Sequence, residues 1–269
     1  MKKIIPQYCS IADNRRLDAD GRYFRLKVAD FNPIRPVYPG QFVHIKVADG
    51  YDPFFRRAFS IADYDPITRR LEIIYKVVGQ GTSTLATRRK GDSLDVLGPL
   101  GNRFSAASKT KTIALVAGGI GFPPLIYLAR ALLSRGFSGD QLLFFYGGRT
   151  KTDLIELRRV RALGVQVFPC TDDGSYGFEG FVTEAVMQRL ADANPKGVYI
   201  YGCGPEPMLA ALQESAGRRG YAGELSLEAP MPCGVGVCLG CIKPRRDDPR
   251  KYVRVCYDGP VFKLGEVKL

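Results

Sequence analysis

The chain has 269 residues, 45% of them hydrophobic, an ordinary globular composition with room for two domains and a small third. Lys and Arg outnumber Asp and Glu by 39 to 27, a formal charge of +12, yet they are scattered with few dense runs and few interleaved aromatics, so an anionic cofactor or an acidic partner suits them better than nucleic acid. The start Met1-Lys2-Lys3-Ile4-Ile5-Pro6 lacks a long apolar run, and no later stretch reaches the roughly 18 apolar residues of a membrane span, so a soluble, cytoplasmic chain without a membrane partner is expected.

The first hundred residues alternate with period two. Phe24, Leu26 and Val28 interleave with Arg25 and Lys27, and Val43, Ile45 and Val47 with His44 and Lys46, the pattern of half-buried strands. Further strands are expected over 71–77 and 94–97. Turns at Pro39-Gly40, Asp49-Gly50, Gly79-Gln80-Gly81, Gly91-Asp92 and Gly98-Pro99 separate them, which predicts a small antiparallel β-barrel. His44, the sole histidine, lies mid-strand and reads as a strand residue, packed or exposed, more readily than as a ligand. Two pieces look chemical. Arg56-Arg57-Ala58-Phe59-Ser60 supplies guanidinium, aromatic and hydroxyl groups suited to a pyrophosphate and a ring edge. Gly79-Gln80-Gly81-Thr82-Ser83 offers open backbone N–H groups before a helix, whose N-terminus attracts phosphate. Each is equally compatible with plain turn chemistry.

From Thr112 the pattern changes to alternating strand and helix: strands over 113–117, 142–146, 165–168 and 198–201, and helices over 124–135, 153–163, 182–190 and 205–219. This predicts a parallel sheet covered by helices, with ligands beyond the C-terminal strand ends. Those ends are Gly118-Gly119-Ile120-Gly121 followed by Phe122-Pro123-Pro124, then Gly147-Gly148-Arg149-Thr150, Thr171-Asp172-Asp173-Gly174 and Gly202-Cys203-Gly204-Pro205. The first is not the G-x-G-x-x-G fingerprint, since Pro124 stands where the third glycine would be and no acidic residue closes the second strand, so another kind of nucleotide site is expected. Cys203 is placed to lie near a nicotinamide ring, whereas Cys9 and Cys170 read as buried apolar residues.

Cys233-Gly234-Val235-Gly236-Val237-Cys238-Leu239-Gly240-Cys241, with Cys256 beyond, has four and then two residues between its first three cysteines. That is the ligand spacing of a plant-type [2Fe–2S] centre. A structural zinc knuckle is the alternative, although only one C-x-x-C arm is present. A disulfide framework fits less well, because seven cysteines is an odd count. Between the third and fourth cysteines lie Lys243, Arg245, Arg246, Arg250, Lys251 and Arg254, either a solvated hairpin or a docking face for an acidic surface.

Arg57-Ala58-Phe59-Ser60, Gly79-Gln80-Gly81-Thr82, Gly118-Gly119-Ile120-Gly121 with Pro123-Pro124, Tyr201-Gly202-Cys203-Gly204-Pro205 and the four cysteines follow one another in the order of the ferredoxin–NADP reductase superfamily. The chain resembles, more narrowly, the iron–sulfur electron-transfer subunits of NAD-linked dihydroorotate dehydrogenases, over nearly its whole length. The stretch from Thr171 to Gly177 and Gly180-Phe181-Val182-Thr183 resembles their nucleotide domain. Ala58 departs from the pattern, as many members carry proline there.

The resemblance implies an FAD-binding barrel over 1–106, an NAD-binding α/β domain over 107–223 and a [2Fe–2S] domain with a C-terminal tail over 224–269. It places Arg57, Ala58, Phe59, Ser60, Gly79, Gly81 and Thr82 on FAD, and Gly118, Gly119, Gly121, Cys203 and Gly204 at the nicotinamide cofactor. Cys233, Cys238, Cys241 and Cys256 would hold the cluster, and no catalytic side chain is expected beyond the cofactors. Arg149 and Lys151 leave NADP open beside NAD, through a 2′-phosphate. Nicotinamide carries two electrons as a hydride and the cluster takes one at a time, so a flavin must stand between them. The expected partner is a catalytic FMN-containing dihydroorotate dehydrogenase subunit, in a heterotetramer with a homodimeric core in pyrimidine biosynthesis. The NAD(P)H-binding subunit of a flavin-based ferredoxin:NADP oxidoreductase, a sulfide dehydrogenase or a hydrogenase is an alternative within the superfamily. A zinc-containing interaction module is the alternative of another class.

Overall fold

The computed structural model describes residues 5–48, 50–109 and 111–269. The first four residues of the expected start and Asp49 of the expected Asp49-Gly50 turn lie outside them.

Seven strands build the first sheet: β1 (Pro6–Arg16), β2 (Tyr23–Ala29), β3 (Phe42–Lys46), β4 (Arg57–Ser60), β5 (Asp63–Asp65), β6 (Arg70–Lys76) and β7 (Ser93–Leu100), in the spatial order β4-β3-β7-β1-β2-β6-β5 with antiparallel pairing throughout. β4 pairs with β3, while β5, its continuation after a two-residue bend, pairs with β6, so the run 57–65 closes the sheet into a barrel. Leu26, Val28, Val43, Ile45, Ile73 and Val96 fill the interior, as the period-two pattern predicts. Each such side chain contributes about 1.5–3 kcal/mol by leaving water. β1 lacks a sustained pattern because a bulge between Ile11 and Asp13 shifts its register. Helix α1 (Gln80–Thr87) caps one end and buries Leu85.

The second sheet holds β8 (Thr112–Gly118), β9 (Leu142–Gly148), β10 (Gln166–Thr171), β11 (Phe178–Glu179), β12 (Val198–Cys203) and β13 (Ala222–Ser226), all parallel. Helices α2 (Phe122–Ser134), α3 (Leu157–Arg161), α4 (Val182–Arg189) and α5 (Glu206–Arg218) cross between them. The order runs β11-β10-β9-β8-β12-β13, so the direction of winding reverses between β8 and β12. α3 is shorter than the expected helix over 153–163. Asp153 and Glu156 instead tie this segment to the barrel: Tyr23 donates to Asp153 at 3.1 Å, Arg22 pairs with Asp153 at 3.5 Å and Arg25 with Glu156 at 3.1 Å. Arg159 reaches Glu72 on β6.

The cysteine-rich segment carries a hairpin of β14 (Ile242–Pro244) and β15 (Tyr252–Arg254), then β16 (Val261–Lys263), which joins β13 antiparallel with Leu225 opposite Phe262. The expected division at 223/224 therefore falls inside β13. Asn102 of the barrel side donates to the carbonyls of Asp258 and Val261 at 3.0 and 2.7 Å, locking the tail beneath the barrel. Among the described residues no helix is long and apolar enough to cross a membrane.

Candidate functional site

β4 presents the Arg57-Ala58-Phe59-Ser60 motif beside β3, with Arg57 across from Ile45 and Ala58 across from His44. Phe59 is buried and packs on Tyr75, ring centroids 5.7 Å apart, whereas Arg57, Ala58 and Ser60 stay partly exposed. The Arg57 guanidinium lies directly over Gly81, where a Cβ would come within 2.4 Å of its Nε. Two motifs 24 residues apart in sequence are thus one surface, and a side chain at Gly81 would displace the Arg57 guanidinium from it. Thr82 Oγ1 accepts from the N–H of Val78 at 2.9 Å and of Gly79 at 3.2 Å and donates to the Gly79 carbonyl, which fixes the turn ahead of α1. Gly79 itself has nothing within 4 Å of its Cβ position.

At the reversal point the loops after β8 and β12 touch. A Cβ on Gly121 would fall 2.3 Å from the Cys203 carbonyl oxygen and 2.6 Å from the Gly204 nitrogen, and one on Gly118 would fall 2.4 Å from Met208 Sδ. A Cβ on Gly204 would in turn fall 3.0 Å from the Gly118 backbone. These three glycines serve loop-on-loop packing. Gly119 differs, having a left-handed φ of 50° and no atom within 4 Å of its Cβ position, so its face is open to a ligand. Cys203 is fully buried; burial, then the nearby Glu228 carboxylate, push its thiol far up, against a hydrogen bond with Ser226. Its contribution is shape, not nucleophilicity. Cys9 and Cys170 are buried too, each thiol pushed up to about 12 by burial.

The four remaining cysteines form two pairs. Cys241 and Cys256 are buried with sulfurs 3.2 Å apart, and Cys233 and Cys238 share a side-chain hydrogen bond nearer the surface. Burial pushes the Cys233 thiol up, but hydrogen bonds from the backbone of Val235, Cys238 and Val237 and from the Cys238 side chain outweigh it and bring it down to about 6. The N–H groups of Gly240 and Cys256 point at Cys238 and Cys241 sulfur, each at 3.4 Å. Burial, then the Cys241 side chain, push the Cys256 thiol up to about 12, so it is at Cys233, not Cys256, that the loop favours a thiolate before any metal enters. Among the described residues no three His, Cys, Asp or Glu side chains gather closely enough for one metal ion. Two cysteine pairs fit a centre with two irons, which takes two thiolates at each.

Sequence reasoning missed what stands behind this loop. His44 points out of the barrel and is fully buried, because Gly234, at φ 68°, lies against its ring. Burial, then the Arg56 charge, push the imidazole down to about 4, although the Met231 carbonyl lies close enough to favour the charged ring slightly. The ring is neutral at physiological pH. Only the loop's return onto β3, invisible in a strand pattern, makes this position special.

The basic run looks different in three dimensions. Lys243 pairs with Glu206 at 2.5 Å, Arg245 with Asp247 at 2.8 Å, Arg250 and Lys251 with Asp248 at 3.2 and 3.8 Å, and Arg254 with Asp258 at 3.0 Å. The basic charge that suggested a docking face for an acidic surface is largely answered within the chain. Around the cysteines, Val237 and Leu239 are instead 75% and 56% exposed, and Ile242, Tyr252 and Tyr257, later in the same segment, are exposed too.

Comparison with known proteins agrees with this layout. Residues 228–268 match the iron–sulfur cluster binding domain of dihydroorotate dehydrogenase B, and residues 115–214 the oxidoreductase NAD-binding domain. The dihydroorotate dehydrogenase B (NAD(+)) electron transfer subunit of Fusobacterium nucleatum is 37% identical over 265 residues, covering 97% of this chain and 98% of that one. The subunit of the same description from Bacillus cereus is 41% identical over 236 residues, covering 86% and 87%. Among solved structures, that of an NADH-dependent reduced ferredoxin-NADP oxidoreductase, described for flavin-based electron bifurcation, superposes with a TM-score of 0.83 at 28% identity, covering 97% of this chain and 89% of that one. The chain thus belongs to the dihydroorotate dehydrogenase B electron transfer subunits, with their iron–sulfur binding and NAD-binding domains.

Proposed function

We propose that the chain relays electrons between a catalytic subunit that oxidises dihydroorotate and NAD, holding FAD on the barrel and a [2Fe–2S] cluster in the cysteine loop. The observation that carries this is the pairing of Cys233 with Cys238 and of Cys241 with Cys256, set in a loop packed against β3, the strand next to the Arg57-Ala58-Phe59-Ser60 motif. When bound, the flavin exchanges a hydride with nicotinamide and single electrons with the cluster. The chain's own residues bind and orient. Arg57 and the N–H groups around Gly79, Gly81 and Thr82 present positive charge to a pyrophosphate, Ser60 offers a polar edge to the ring system, and Phe59 and Ala58, packed on the core, hold the strand that carries them. Gly119 opens the reversal point to the nicotinamide nucleotide, while Gly118, Gly121, Gly204 and Cys203 shape its floor. The resemblance favours NAD, while Arg149 and Lys151 keep a 2′-phosphate within reach.

The partner, by the resemblance, is an FMN-containing catalytic subunit in a heterotetramer with a homodimeric core. The exposed apolar residues Val237 and Leu239, inside the cysteine loop, support docking through that face. Cys238→Ser tests the site. It should lose iron and sulfide while keeping stoichiometric FAD that NADH still bleaches; retention of the full visible cluster signal would remove Cys238 from the ligand set.

A further inference from the structure

His44 has no exposed surface, and neither of its ring nitrogens makes a hydrogen bond of normal geometry among the described residues, the Met231 carbonyl lying beside the ring without one. Buried polar groups without partners are rare, and each calls for an explanation. The ring's surroundings supply one. A Cβ on Gly234 would come within 2.6 Å of His44 Cε1 and Nδ1 and 3.0 Å of Nε2, so the edge that bears both nitrogens faces the turn immediately after Cys233. Phe42 meets the ring at 69° with centroids 5.8 Å apart, and Ala58 of the flavin motif is its partner across the ladder. One side chain therefore touches both the strand proposed to carry the flavin and the loop proposed to carry the cluster. A hydrophobic residue of similar size would fill the space without the cost of a buried, unsatisfied imidazole.

We propose that His44 is a positioning residue of the iron–sulfur centre, seating the Cys233-Gly234 turn on the barrel and donating its ring N–H to the sulfur side of that turn. This rests on the reading of the four cysteines as cluster ligands. A hydrogen bond to cluster or cysteinyl sulfur stabilises the more negative, reduced state and raises the reduction potential. The effect is placed on the flavin side of the loop, at the junction through which electrons must pass.

The test uses the fact that the chain contains one histidine. The full chain is produced without a histidine tag, labelled with [15N]histidine, assembled with unlabelled partner, and reduced for pulsed EPR. A weak histidine 15N coupling to the reduced cluster is expected. In His44→Phe, which keeps a ring but no donor, the one-electron equilibrium should move about tenfold toward the oxidised cluster, a potential about 59 mV lower. His44→Gln, which retains an N–H donor, should recover part of that shift. An iron-loaded cluster without histidine coupling, or a His44→Phe cluster at unchanged potential, overturns the proposal. Should His44→Phe fail to assemble, the labelled wild-type protein still decides the matter. Wild-type chain devoid of iron would overturn the cluster reading itself, a separate failure.

Discussion

Gly119 and Gly121 stand two residues apart and should respond differently to alanine. At Gly121 the new Cβ would meet the Cys203 and Gly204 backbone, which cannot swing aside, so a cost of about 1–3 kcal/mol is expected, seen as a melting temperature several degrees lower. Gly119→Ala meets no atom and costs about 1 kcal/mol for its left-handed φ, yet it should weaken NADH binding as strongly, because the methyl occupies the open face. Calorimetry and NADH titration of the pair separate the two roles; equal losses of stability would contradict the assignment. The Gly118-Gly119-Ile120-Gly121 motif was legible as a nucleotide site, but which glycine packs and which faces outward depends on a loop returning from 80 residues later. The thiols make a second residue-scale test. In metal-free chain, alkylation of Cys233 should rise as pH passes about 6 and level off by pH 8, while Cys9 and Cys170, with thiols near 12, stay unlabelled until unfolding. Mass mapping of modified peptides checks the order. Labelling of Cys9 in the native protein would contradict it.

At the scale of elements, long periodic strands were legible and short edge strands were not. β2 and β3 announce themselves by alternation, and β8, β9 and β12 by unbroken apolar runs. β16, three residues long, has no period to read, and its place beside β13 depends on long-range contacts, the ladder with β13 and the lock between Asn102 and Val261. The helix over 153–163 was over-extended because propensity cannot see the barrel. There the segment spends Asp153 and Glu156 on Tyr23, Arg22 and Arg25 in place of a first helical turn. That clamp is the main polar tie between the barrel and the β9–β10 connection. Asp153→Ala leaves the Tyr23 hydroxyl without its acceptor, at about 1–3 kcal/mol, while Arg22 keeps Asp18 and Asp20. Stopped-flow reduction by NADH should slow while FAD content is unchanged, since the clamp sets the nucleotide sheet against the barrel. Unaltered reduction with normal stability would mean that the two units are held elsewhere.

For the whole molecule, the net charge of +12 does not by itself locate a docking face. The basic run beyond Cys241 is compensated in place by Glu206, Asp247, Asp248 and Asp258, a pairing between side chains that composition does not reveal. Docking is expected to follow the apolar face. Leu239→Asp should weaken affinity for the catalytic subunit at least tenfold, about 1.4 kcal/mol or more, whereas Arg250→Glu leaves it near wild type with little salt dependence. Titration calorimetry at two salt concentrations discriminates the faces. The order of the motifs along the chain made the three-part architecture legible, and the two cysteine pairs give it a chemical purpose. The most direct measurement of that purpose is the anaerobic visible spectrum of the purified protein before and after NADH, with iron, sulfide, zinc and flavin assayed on the same sample. Flavin absorption with a red-brown shoulder, both bleaching on NADH, and iron equal to sulfide are the predicted result. A colourless protein with stoichiometric zinc would contradict it.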